Sequence, residues 1–152
     1  MKLLTNYWFW ATFSAWFISQ TVKIITGLIR NKRRTFATIL FGSGGMPSAH
    51  TASIVSLTTA LIITEGLGSP LPIISGILAL VIMTDATAVR FESERHARFL
   101  NRMVEEQREQ APEDGKPFKT SLGHTTLQVA VGFVIGVVCA LILAKIPGFH
   151  AL

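Results

Sequence analysis

Two histidines, each set in a short run of polar residues and glycine between apolar stretches, are the residues of this 152-residue chain best suited to chemistry. His50 closes the run "GGMPSAH" (44–50), and His124 stands in "LGHT" (122–125). An imidazole is the side chain that changes charge near neutral pH, so it serves as a nucleophile, base or acid. The glycines around His50, Gly45 among them, let backbone N–H groups approach an anion closely, and a capped helix start adds donors and a favourable dipole. Ser48 reads as that cap and not as a nucleophile, because no G-x-S-x-G elbow surrounds it. The plainer alternative is a flexible turn with a histidine facing headgroups.

Further polar residues fall at matching depths. Lys23 lies near the end of the first apolar run, Asp85 and Arg90 at the end of the third, and His124 at the start of the fourth. Asp85 suits either of two tasks, orienting the far nitrogen of a histidine or pairing with Arg90. His124, Gln128, Gly132, Gly136 and Ala140 recur every fourth residue and share one helical stripe. Gly123 leaves room for a ligand beside His124, and the last three residues of the stripe form a small-xxx-small seam. That seam serves helix packing within the chain or between two copies, so a homodimer is an expected partner arrangement. No two His, Cys, Asp or Glu residues show a recognised metal-ligand spacing, so no metal or other cofactor is expected. His96 and His150 have no evident role, and the single cysteine, Cys139, excludes an intrachain disulfide.

The elements that must position these residues are apolar helices. Charged residues make up 15% of the chain against the roughly 25% usual in soluble domains. Uncharged runs cover 3–22, 35–64, 66–84 and 120–144, each near or beyond the about 20 residues that cross a hydrocarbon core. The first run lacks a small-residue cleavage site and is expected to stay in the mature protein. The pattern predicts one all-α domain over 1–152, an integral membrane four-helix bundle. Its transmembrane helices fall at about 4–28, 49–64, 72–89 and 120–146.

Twelve of the fourteen basic residues lie in segments 23–34 and 90–119. The positive-inside rule puts both segments in the cytoplasm and both termini outside. The segment 90–119 is expected as a helix lying at the cytoplasmic interface, or as the third helix continuing into water. Each helix then delivers its polar residues to one cytoplasmic level, and ionisable groups at a span's edge mark function. A transporter fits less well, since these residues sit at one interface and not at the midplane. The basic residues flank membrane spans, so the expected partner is a membrane and not nucleic acid.

With those residues in place, "GGMPSAHTA", "DATAVR…LN" (Asp85 to Arg90, then Leu100-Asn101) and "LGHTTLQVAVG" resemble the divergent branch of the type-2 phosphatidic acid phosphatase family, across about 19–136. The wider family uses the motifs K-x6-R-P, P-S-G-H and S-R-x5-H-x3-D. Lys23 and Arg30 match the first with Asn31 for proline, and "PSAH" matches the second with Ala49 for glycine. In the third, His124 takes the nucleophile's place, Gln128 stands for the acid, and Phe118 stands where arginine is usual. Arg90 and Lys119 are the cationic substitutes at hand. The resemblance implies a metal-free lipid phosphate or diphosphate phosphatase. His124 would form a phosphohistidine, His50 would be the general acid and Lys23 a phosphate ligand. Its expected location is a bacterial plasma membrane, with the site facing the cytoplasm. The alternative is a non-catalytic protein that binds anionic headgroups, or scaffolds partners, through a relic of the pocket.

Overall fold

The structure is a computed structural model, and it describes residues 5–30, 45–106, 118, 120 and 123–147. These residues are helical with no strand: α1 Tyr7–Arg30, α2 Ala49–Glu65, α3 Pro70–Thr84, a π-helical turn Asp85–Val89, α4 Arg90–Glu106 and α5 Thr126–Leu143. Local chemistry sets most of the boundaries. Ser48 caps α2 by accepting from the Thr51 N–H. Gly66, at φ 76°, ends that helix in a backbone conformation that L side chains resist. Pro70 then opens α3, where a missing N–H costs nothing.

Helix α2 is the centre, packing against α1, α3 and α5, while α1 also meets α5. The Tyr7 hydroxyl donates to the Ala140 carbonyl at 2.7 Å, Trp8 Nε1 to Thr64 Oγ1 at 2.8 Å, and Ser56 Oγ to the Ala11 carbonyl at 2.8 Å. These bonds join the start of α1 to the ends of α2 and α5, so α1 runs antiparallel to both. The tight turn at 66–69 makes α3 antiparallel to α2. One end of the molecule therefore collects the end of α1, the start of α2, the end of α3 and the start of α5.

The interior is built of small residues and the exterior of large apolar ones. Ala11, Ala15, Ser19, Ala52, Ser56, Ala60 and Ala140 are buried, whereas Phe13, Phe17, Ile73, Ile77, Leu80, Val134 and Leu141 face outward. Water would penalise that arrangement and lipid favours it, because helices in a bilayer associate through close packing of small side chains. Two helical runs among the described residues, Pro70–Glu106 and Thr126–Leu143, are long and apolar enough to cross a membrane. The chain is accordingly a membrane-associated all-α protein.

The seam on α5 is used within the chain. A methyl group at Gly132 would stand 2.5 Å from the Ser48 carbonyl oxygen, and one at Gly136 would stand 2.6 Å from that of Ala52. Both neighbours are backbone, so neither yields without moving a helix. Gly132→Ala should thus lower unfolding stability in detergent by about 1–3 kcal/mol, the usual range for overpacking. The outward-facing Val134→Ala is the control. Equal melting temperatures for the two variants would refute the close approach.

Two boundaries differ from the sequence expectation. The fourth helix starts at Thr126 and not near 120, because Thr125 and Gln128 form a capping box there. The third helix runs on past 89, the second of the two arrangements expected for the segment after it. It continues through the π turn into α4 as one run of 37 residues. At 1.5 Å per residue that run is about 55 Å long, nearly twice a hydrocarbon core of about 30 Å. Its charged half therefore lies outside the apolar layer.

Candidate functional site

The end that collects four helix termini holds both histidines. His50 sits on the exposed side of the first turn of α2 and is within electrostatic reach of Arg90, Lys23 and Asp85. His124 precedes the cap of α5, only 7% exposed, and feels Lys23, His50 and Arg90. Lys23 from α1 runs along Gly45, where an added methyl would meet its Cε at 3.3 Å and where φ is 96°. A side chain at Gly45 would thus be strained and would crowd the lysine. Arg30 ends α1 with its side chain, like the whole of Lys119, outside the described residues.

Gln128 decides the state of His124. Its Oε1 accepts the Thr125 backbone N–H at 3.2 Å, which identifies that atom as the oxygen. The same oxygen lies 3.0 Å from His124 Nδ1, so Nδ1 must carry a proton. In the neutral imidazole Nε2 then holds the lone pair, and among the described residues it has no hydrogen-bond partner. One amide therefore closes the capping box of α5 and selects the tautomer of the histidine. His124 lies ahead of the membrane-crossing helix, and burial holds its imidazole below the ordinary histidine range. The Gln128 hydrogen bond opposes that shift, while the charges of Lys23, His50 and Arg90 reinforce it.

Asp85 takes the second of its two possible tasks. Its Oδ2 accepts from Arg90 Nε at 2.5 Å, so in this structure the carboxylate is paired with the arginine. The π turn makes that pair possible. Residues five apart in an α-helix are about 140° apart around the axis, whereas i→i+5 bonding brings them onto one side. The Arg90 N–H bonds the Asp85 carbonyl in this way. The turn also presents the Ala86 carbonyl, which accepts the His124 N–H at 3.0 Å.

Ser48 is fully buried, and its hydroxyl accepts from both the N–H and Oγ1 of Thr51. Among the residues expected to bind a ligand, it contributes through the helix start it caps. Its own N–H bonds the Gln128 carbonyl at 3.1 Å, tying the start of α2 to the start of α5. Gly123 makes no space for a ligand: a methyl there would sit 2.8 Å from Phe91 Cα, so the space is filled by helix backbone. Thr125 was legible as a cap in "TTLQ", which has the spacing of a capping box. Ala86, Glu94 and Asn101 carry no such signal.

A model of the Divergent PAP2 family matches residues 4–139 of the chain. The chain belongs to the Divergent PAP2 family. The chain is also 30% identical over 155 residues to the uncharacterized membrane protein YuiD of Bacillus subtilis (strain 168), covering 95% of this chain and 98% of that one. No solved structure matches the chain. Membership in the Divergent PAP2 family relates the fold to phosphatases, and the arrangement around His124 bears on whether this member retains the chemistry. An imidazole oriented by an amide lies within electrostatic reach of a second histidine and two cations.

Proposed function

We propose that this member is a metal-free membrane phosphatase acting on a lipid phosphate or diphosphate at the cytoplasmic leaflet. The carrying observation is the His124–Gln128 contact, which leaves Nε2 as an available lone pair at the end where His50, Lys23 and Arg90 gather. Nε2 attacks phosphorus and the ester P–O bond breaks, while the His50 imidazolium gives its proton to the leaving oxygen. Water then loses a proton to His50, its oxygen attacks phosphorus, and the N–P bond breaks to free phosphate. Lys23 and Arg90 would hold the phosphoryl oxygens, with Arg30, Lys119 and the N–H groups at Gly45 and the start of α2 as further donors. Asp85 would keep Arg90 in place. The basic residues of α4 and of 30–34, together with the apolar exterior, favour four spans with this end in the cytoplasm of a bacterial plasma membrane and both termini outside.

The test is phosphate release by purified protein with EDTA, across a panel of lipid phosphates and diphosphates. Turnover that survives EDTA supports the proposal. A well-folded protein that binds phosphate and releases none would favour a headgroup-binding reading instead. One observation favours that second reading: Gln128 brings no charge to the imidazolium, and Asp85 is committed to Arg90.

Gln128→Glu separates the two readings. Glutamate also serves at the third position of a capping box, so the start of α5 is kept. An opposite charge at hydrogen-bond distance raises a histidine's pKa by about one unit or more. Turnover should rise about tenfold, with the acid limb of the pH profile moving up by about one unit. A variant that stays inactive would count against catalysis.

A further inference from the structure

Three consecutive N–H groups hold the turn that carries His124. That of Gly123 goes to Glu94 Oε2 at 3.2 Å, that of His124 to the Ala86 carbonyl at 3.0 Å, and that of Thr125 to Gln128 Oε1 at 3.2 Å. The acceptors come from α4, from the π turn and from α5, so the backbone is held from three directions. Of the three, Glu94 is the one side chain with no part in the cap of α5.

Helix α4 explains the contact. Most of this helix is exposed, and its covered positions are Glu94, Ala97 and Asn101, three and four residues apart and therefore on one face. Glu94 keeps only 15% of its side chain exposed, against 50% for Glu92 on the same helix. A carboxylate turned from water needs partners. Its Oε1 pairs with Arg98 one turn on, while Oε2 takes the Gly123 N–H. Helical side chains lean toward the start of their helix, which carries this carboxylate back toward Arg90 and Phe91. Gly123 rests on the backbone of those same two residues. The bonded N–H belongs to the residue directly before His124, and a charged acceptor makes its hydrogen bond roughly twice as strong as a neutral one would.

We propose that Glu94 is a positioning residue for His124, anchoring the backbone directly before it to α4. The inference rests on the reading of His124 as the nucleophile. A carboxylate suits the task because its two oxygens accept from Gly123 and Arg98 at once, whereas the single oxygen of a glutamine in the same pose would serve one of them.

The experiment uses the full chain in lipid nanodiscs, as wild type, Glu94→Ala, Glu94→Gln and Glu92→Ala, which removes the same charge from an exposed position. Steady-state kinetics are paired with the imidazole NMR titration of His124, which Lys23 from α1, His50 from α2 and Arg90 from α4 all influence. Glu94→Ala should lower kcat about ten- to a hundredfold with KM unchanged, since misplacement of a reacting group by about 1 Å costs up to that much. Its His124 titration should move up, toward that of an exposed histidine. Loss of a nearby anion alone would move it down, so the direction separates position from charge. Glu94→Gln keeps one acceptor and should fall between, and Glu92→Ala should match wild type. Wild-type kcat and titration in Glu94→Ala would overturn the proposal, as would equal losses in Glu92→Ala, a downward titration or a change confined to KM. If the wild-type protein turns over no lipid phosphate, the titration decides alone. An upward move in Glu94→Ala then upholds the positioning role while the phosphatase reading falls, and any other result overturns both.

Discussion

His124→Ala should lose turnover by a factor on the order of 10³ or more, the range seen when the nucleophile of a covalent mechanism is removed. The loss should appear in kcat for every substrate, because attack by Nε2 precedes any product. Rapid quenching of the wild type with labelled substrate should trap an acid-labile phosphoryl group on the protein, and the variant should trap none. The pH profile gives a second check on the same residue. Burial keeps His124 neutral below the ordinary histidine range, so the nucleophile is available at neutral pH. The acid limb set by His124 should therefore lie below about 6.5, the unperturbed value, while loss of the His50 proton sets the alkaline limb. An acid limb above that value, or a variant with wild-type turnover, would remove His124 from the mechanism. The surroundings should tolerate the change, since the His124 N–H to Ala86 bond belongs to the backbone and survives in alanine.

His50→Ala should cost between about 10² and 10⁴ in turnover of an alkyl phosphate, the usual worth of a general acid. The size of the loss should depend on the leaving group. A lipid alkoxide needs a proton as the P–O bond breaks, whereas a nitrophenolate leaves without one. The variant should therefore retain far more of its activity on p-nitrophenyl phosphate than on a lipid monoester. Equal losses on both substrates would show that His50 binds the phosphoryl group and does not protonate the leaving oxygen. His50 is exposed on the first turn of α2, whose start is held by the Ser48 cap, so substitution there leaves the packed interior intact.

Much of this protein is legible in its sequence because the determining interactions are short-range. Uncharged runs long enough for a bilayer mark where helices lie, and "GGMPSAH" marks the break before α2, since glycine, proline and a capping serine act within a few residues of themselves. The every-fourth-residue stripe from Gln128 to Ala140 identifies a packing face on α5 for the same local reason. The two histidines stand out because polar groups at the edge of apolar runs are costly.

Tertiary structure decided what those residues do to one another. The sequence leaves Asp85 between two partners, and only the π turn, which has no local signature in "DATAV", sets it against Arg90. Gly123 suggests open space, yet whether that space is empty depends on α4, about thirty residues earlier in the chain, whose backbone fills it. Gln128 is a cap residue by its spacing, and it orients His124 only because the turn before α5 bends the imidazole back onto its amide. Glu94 and Asn101 lie on a charged helix, and only the fold sets Gly123 against the first and Phe118 against the second. Local pattern determines where each helix begins and which face it hides. The pairing of side chains from different helices depends on their mutual register, which no stretch of sequence contains by itself.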